Sequence, residues 1–139
     1  MSKKSRVIID TNLWISFLIS NDFSKLDKIL NYKHCTIIFS QELLEEFIEV
    51  SSRPKLMKYF GQFALAAIVE TIEEFAEFID VTSQIKFLND SKDDFLLSLA
   101  IDGKADYLIT GDKELLEVGT YNGTIIISMT EFLNKFEFA

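Results

Sequence analysis

Four carboxylates stand in sequence contexts that would aim them at one spot. Asp10 ends the apolar run Val7-Ile8-Ile9, Glu46 flanks a helical pattern, Asp93 opens another, and Asp112 closes Tyr107-Leu108-Ile109-Thr110-Gly111-Asp112. Carboxylates gathered at the end of a sheet repel one another and are costly to desolvate unless a cation lies between them. Oxygen donors without a companion histidine or thiol suit Mg²⁺ or Mn²⁺ rather than zinc. His34 and Cys35 adjoin each other but lack a partner pair, and both read as structural. A metal held only by carboxylates serves phosphoryl chemistry, and two ions about 3.5 to 4 Å apart can hold both attacking and leaving oxygens. Phosphodiester hydrolysis is the reaction expected. No glycine-rich phosphate loop is present, which argues against an NTPase or a dinucleotide enzyme.

These residues need a scaffold, and the pattern supplies one. Strand-like runs cover residues 6–9, 35–39, 79–81, 106–109 and 124–128. Helical patterns cover 12–19, 24–31, 41–51, about 62–78 and 91–101, with a last helix at the C-terminus. Arg53 precedes the only proline, Pro54, which can itself start a helical turn. Strands separated by helices imply right-handed crossovers and an α/β fold, a parallel Rossmann-like sheet of about five strands flanked by helices. Open parallel sheets bind ligands beyond the carboxyl ends of their strands, where Asp10 and the pair Thr110 and Asp112 would fall.

Each acid also has a plainer reading. Asp10 can cap the helix near Asn12, and Asp112 the one at Lys113. Glu46 borders the apolar stripe of Leu43, Leu44, Phe47, Ile48 and Val50, whereas Glu45 and Glu49 point further out. Asp93 shares a face with Leu96, Leu97 and Ala100, with Asp94 displaced toward Ser98. Asp90 can be the N-cap and Asp93 can bind back to it, and a capping acid still has an oxygen for a metal.

The 139 residues fit one domain, 1–139, and 48% apolar content with 13 Phe exceeds what a disordered chain carries. The N-terminal cations before an apolar stretch resemble a secretory signal, but Asp10 and Asn12 interrupt it and no small-residue cleavage site follows. A single cysteine fits a reducing compartment, so the cytoplasm is the expected location. The net charge of −8 is unusual for a nucleic-acid binder. Part of it is assigned to Glu70, Glu73, Glu74 and Glu77, read as the solvated face of a helix whose other face is Leu65, Ile68, Ile72, Phe75 and Ile79.

The opening Val7-Ile8-Ile9-Asp10-Thr11-Asn12, the Glu46 helix running into Ser52-Arg53-Pro54-Lys55, Asp90-Ser91-Lys92-Asp93-Asp94, and Ala105-Asp106-Tyr107-Leu108-Ile109-Thr110-Gly111-Asp112-Lys113 together resemble PIN-domain proteins. More narrowly the chain resembles VapC-like toxin components of bacterial toxin-antitoxin systems. The resemblance implies a Mg²⁺- or Mn²⁺-dependent endoribonuclease using one or two ions. Asp10, Glu46, Asp93 and Asp112 would be its catalytic and metal-binding quartet, with Asn12 and Thr110 as polar supports and Asp90 and Asp94 as extra members. Arg53, Lys55 and Lys58 form the densest basic cluster and could contact an RNA backbone, and Lys113 could sit near the scissile phosphate. The resemblance also implies a cognate antitoxin and a homodimer, for which Phe132, Phe136 and Phe138 could supply an apolar contact or else fill the core.

Two other functions stay open. A haloacid-dehalogenase-like phosphatase also starts on a strand ending in aspartate, but it needs a second acid two positions on, where this chain has Asn12. A non-catalytic module could use the same acidic pocket to receive a basic peptide.

Overall fold

A computed structural model describes residues 4–30 and 35–136, without the side chain of Phe136. Strand β1 (Ser5–Ile9) leads into helices α1 (Thr11–Ser20) and α2 (Ser24–Leu30), then β2 (Cys35–Phe39), α3 (Gln41–Ser51), α4 (Pro54–Phe75) and β3 (Ala76–Phe78). An extended segment reaches α5 (Ser91–Asp102), followed by β4 (Tyr107–Ile109), α6 (Lys113–Val118), the hairpin strands β5 (Thr120–Tyr121) and β6 (Thr124–Ile127), and α7 (Met129–Phe136).

Six strands form one sheet in the order β3-β2-β1-β4-β6-β5. All pair in parallel except β5 with β6. The α/β architecture thus matches the expectation, with one strand more. Val7, Ile8 and Ile9 are almost wholly buried, as are Leu108 and Ile109 beside them. That is why these strands read as continuous apolar runs rather than alternating ones. Trp14, Phe39 and Phe47 fill the core on the side of α1 and α3, and Trp14 lies edge-on to Phe39 at 5.9 Å. Phe132 is fully buried against Tyr107, so it belongs to the core, whereas Phe138 and the Phe136 side chain lie outside the described residues, as does His34.

Three elements differ from the sequence expectation. The edge strand is 76–78 rather than 79–81, so the long helix ends at Phe75. Glu77 therefore belongs to β3, where its carboxylate meets Arg6 at 2.5 Å. Phe75, expected on the buried face, is half exposed. Helix α4 begins at Pro54, not near residue 62, and is broken at Gly61, whose φ of 79° and ψ of 170° interrupt the helical path. Strand β5 is additional. It forms through the turn at Asn122 (φ 48°) and Gly123 (φ 87°), two left-handed residues in succession.

Candidate active site

Because β1 and β4 are neighbours, whatever follows each strand is brought together at the carboxyl edge of the sheet. Strand β1 connects to β2 on one side while β4 lies on the other, which makes this the switch point where an open sheet leaves a crevice. Asp10 carries the β1–β4 ladder one step further, its amide donating to the Ile109 carbonyl at 2.9 Å. The Asp10 side chain then does two things. Oδ1 accepts the Asn12 amide at 3.1 Å as the N-cap of α1, and Oδ2 accepts the Thr110 hydroxyl at 2.8 Å. Thr110 Oγ1 in turn accepts the Asp112 amide at 3.1 Å. Thr110 is fully buried and so stands behind Asp10 as its support.

Asp112 is the N-cap of α6, with Oδ1 accepting the amides of Glu114 at 2.8 Å and Leu115 at 3.3 Å. Its second oxygen has no donor among the described residues. For both aspartates the capping and pocket readings hold together. Asp90 caps α5 in the same manner, Oδ1 accepting the Lys92 and Asp93 amides at 3.0 and 3.1 Å. Asp93 does not bind back. Neither of its carboxylate oxygens accepts a hydrogen bond within the described residues, although the residue is only 7% exposed.

A pocket of about 150 Å³ is lined by Asp10, Asn12, Glu46, Asp90, Asp93 and Asp112, with Lys92 at its edge and apolar walls from α1, α3 and α5. The four acids singled out in sequence therefore share one pocket, and Asn12 and Asp90 join them. Asp94 does not line it. Its carboxylate faces the other way, where Oδ1 accepts the amides of Phe87 and Leu88 at 3.1 and 2.8 Å. Ser98 Oγ accepts the Ile85 amide, and Asp102 accepts those of Thr82 and Ser83. Residues 94, 98 and 102 recur every four positions, so one face of α5 pins the extended segment 82–88 while the Asp90 and Asp93 face opens to the pocket.

Burial pushes the Asp93 carboxyl up to about 6, and the nearby charges of Asp112, Asp90, Asp10 and Glu114 add to the effect. Such mutual repulsion is what a cation would relieve. All the candidate donors are hard oxygens, which fits a divalent ion of the Mg²⁺ type. Among the described residues no three Asp, Glu, His or Cys side chains stand close enough to enclose an ion as they are. Closing a ligand shell thus requires the side chains to draw together. Glu46 meets Lys92 across the pocket rim, Oε1 to Nζ 3.8 Å.

A model of the PIN domain matches residues 6–114. The chain belongs to the PIN-domain family. PIN domains are nucleases that generally depend on divalent metals, and nuclease activity is the coarse function that membership carries. The chain is also similar to an uncharacterized protein of Methanocaldococcus jannaschii, 28% identical over 151 residues covering 96% of this chain and 93% of that protein. No solved structure matches.

In this PIN domain the basic residues anticipated as substrate contacts lie outside the pocket lining. Arg53 is exposed and bonded to Glu49, Nη2 to Oε2 2.9 Å, and Lys55 and Lys113 are exposed. Sequence reasoning missed Lys92 and Glu114. Lys92 sits between Asp90 and Asp93 on the first turn of α5, so a helical projection of that turn would have found it. Glu114 follows Asp112 by two residues and acts on Asp93 through charge alone, which no local pattern announces. Cys35 is half-buried and its thiol is pushed up to about 11 by desolvation, in keeping with a structural role. Among the described residues no helix is long and apolar enough to cross a membrane.

Proposed function

We propose that this PIN domain is a Mg²⁺- or Mn²⁺-dependent endoribonuclease hydrolysing RNA phosphodiester bonds, and the toxin of a toxin–antitoxin pair. The observation that carries the nuclease reading is the pocket lined by Asp10, Glu46, Asp93 and Asp112 without a histidine or thiol, with the Asp93 carboxylate receiving no hydrogen bond among the described residues. Asp10 and Asp93 would hold one ion, and Asp112 and Glu46 would complete its shell or hold a second. When bound, the ion supplies Lewis-acid stabilisation of the phosphate charge and a more acidic water. The remaining work belongs to the chain. Thr110 and the Asn12 amide fix the Asp10 carboxylate in one orientation, so little reorganisation is left for the reacting complex. The Asp112 and Asp90 caps fix the starts of α6 and α5 and hence the spacing between their carboxylates. Lys92 offsets part of the Glu46 charge at the pocket rim, Nζ to Oε1 3.8 Å.

The toxin assignment rests on the VapC-like resemblance, and it brings an antitoxin that would insert an Arg or Lys side chain into the acidic pocket. The Lys92–Glu46 pair supports that reading, because it places an ammonium on this rim within the chain itself. A cytoplasmic location follows from the same reading. The test is cleavage of an internally labelled single-stranded RNA by protein freed of contaminating nuclease. Cleavage that needs Mg²⁺ or Mn²⁺, stops with chelator and is lost in Asp10→Asn supports the reading. Equal cleavage by Asp10→Asn and the parent refutes it. Growth arrest on expression, lost in the same variant, tests the toxin role.

A further inference from the structure

The pocket explains how a phosphate could be attacked, but the only aromatic ring among its lining residues, Phe47, is fully buried and offers no face for a nucleotide base to stack on. A second surface, beginning where the pocket wall ends, has the right chemistry. Residues 50–69 are the longest stretch of the chain without Asp or Glu, and they hold Arg53, Lys55 and Lys58 in a protein of net charge −8. The segment is continuous with the pocket. Val50 lines the pocket, and its carbonyl accepts the Arg53 amide at 3.3 Å.

The first turns of α4 are amphipathic. Leu56, Met57 and Phe60 pack partly buried against the core, while Lys55, Lys58 and Tyr59 face solvent. The break at Gly61 then restarts the helix, and Leu65, Ile68 and Ile72 become its buried side. Phe63 is left 94% exposed and Tyr59 57% exposed, with Lys58 Nζ 5.2 Å from the Tyr59 ring centroid. A large apolar ring held almost wholly in water gains from whatever covers it. The lack of acids within this segment, with Lys55 and Lys58 exposed on it, favours a polyanion with flat apolar faces, and a single-stranded RNA is such a ligand.

We infer that Tyr59 and Phe63 form a base-stacking platform, flanked by Lys55 and Lys58 on the phosphates, which holds single-stranded RNA beside the acidic pocket. The inference rests on the endoribonuclease reading and adds to it the part of the substrate that is gripped. Bases stack on aromatic rings with little sequence preference, so the platform selects unpaired strands rather than a particular sequence.

The test is fluorescence anisotropy of a labelled 12-nucleotide single-stranded RNA in chelator, where cleavage is off. Tyr59→Ala and Phe63→Ala are each expected to weaken binding by roughly 5- to 100-fold. Phe63→Trp is expected to keep the affinity and to lose fluorescence on RNA addition, against a Trp14 that is fully buried. Lys55→Gln and Lys58→Gln should each flatten the dependence of log K on log salt by about 0.7. Circular dichroism melts check that the variants fold. Parent that binds RNA with both alanine variants equally tight overturns the platform and leaves the nuclease reading standing. Variants that become monomers in sedimentation while keeping RNA affinity overturn it in favour of a second copy on this face. Parent that neither binds nor cleaves RNA overturns the nuclease reading and the platform with it.

Discussion

Helix α5 carries two buried aspartates side by side, and their surroundings are opposite. Asp94, 6% exposed, receives two backbone N–H donors and continues into Ser98 and Asp102, which together tie down the segment 82–88. Asp93, 7% exposed, receives none among the described residues and faces the charges of Asp10, Asp90, Asp112 and Glu114. Burial is equal, so burial does not separate a structural acid from a functional one. Satisfaction of the carboxylate does. A buried carboxylate with donors stabilises the fold, whereas one surrounded by like charge costs stability that only a ligand can return.

Exchanging the two side chains for neutral ones should therefore break different properties. The largest effect is expected for Asp93→Asn, with nuclease rate falling by more than about 100-fold, beyond what loss of an outer-shell partner costs. Next comes Thr110→Val, which removes the hydroxyl from Asp10 while keeping the side-chain shape. Here a loss of about 10- to 100-fold in metal affinity or rate is expected, read by metal titration and single-turnover cleavage. Asp94→Ala should act on stability instead, costing about 1 to 3 kcal/mol in denaturant unfolding by leaving the Phe87 and Leu88 amides without their acceptor. A rate loss in Asp94→Ala as large as that in Asp93→Asn, at unchanged stability, would erase the distinction between the faces.

The smallest effect is one of pH on metal-free protein. The fold raises the Asp93 carboxyl from an ordinary 3.8 to about 6, so the folded state favours its protonated form. The stability that this proton contributes is present below about 3.8 and is lost as pH rises through about 6. Unfolding midpoints followed from about pH 4 to pH 7 should carry a falling contribution from residue 93 in the parent, and that contribution should vanish in Asp93→Asn.

Much of this arrangement was legible in the residues. Asp10 directly follows a buried run and Asp112 comes one exposed glycine after a second such run, so their place at the sheet edge needed only the rule for parallel strands. Glu46 and Asp93 needed helical geometry, which separated each from its acidic neighbours. The edge strand β3 was harder to see. Glu70, Glu73, Glu74 and Glu77 hold helical spacing up to and into it, and only pairing with β2 turns residues 76–78 into a strand. Tertiary pairing overrode the local period there. Strand β5 was announced by Asn122-Gly123, the turn pair that favours two successive left-handed residues, yet two strand residues leave too little alternation to notice. The Asp94–Ser98–Asp102 ladder was invisible for a different reason. Its partners are backbone amides of an extended segment, and these leave no signature in side-chain pattern.

The most direct test of the convergence of these carboxylates is calorimetric titration of Mn²⁺ into metal-free protein at pH 7.5, comparing the parent with Asp93→Asn. Saturable binding in the parent that raises its melting temperature, with both effects lost in the variant, is the expected result. Binding of equal strength in the two proteins, or none in the parent, would contradict a cation site built on Asp93.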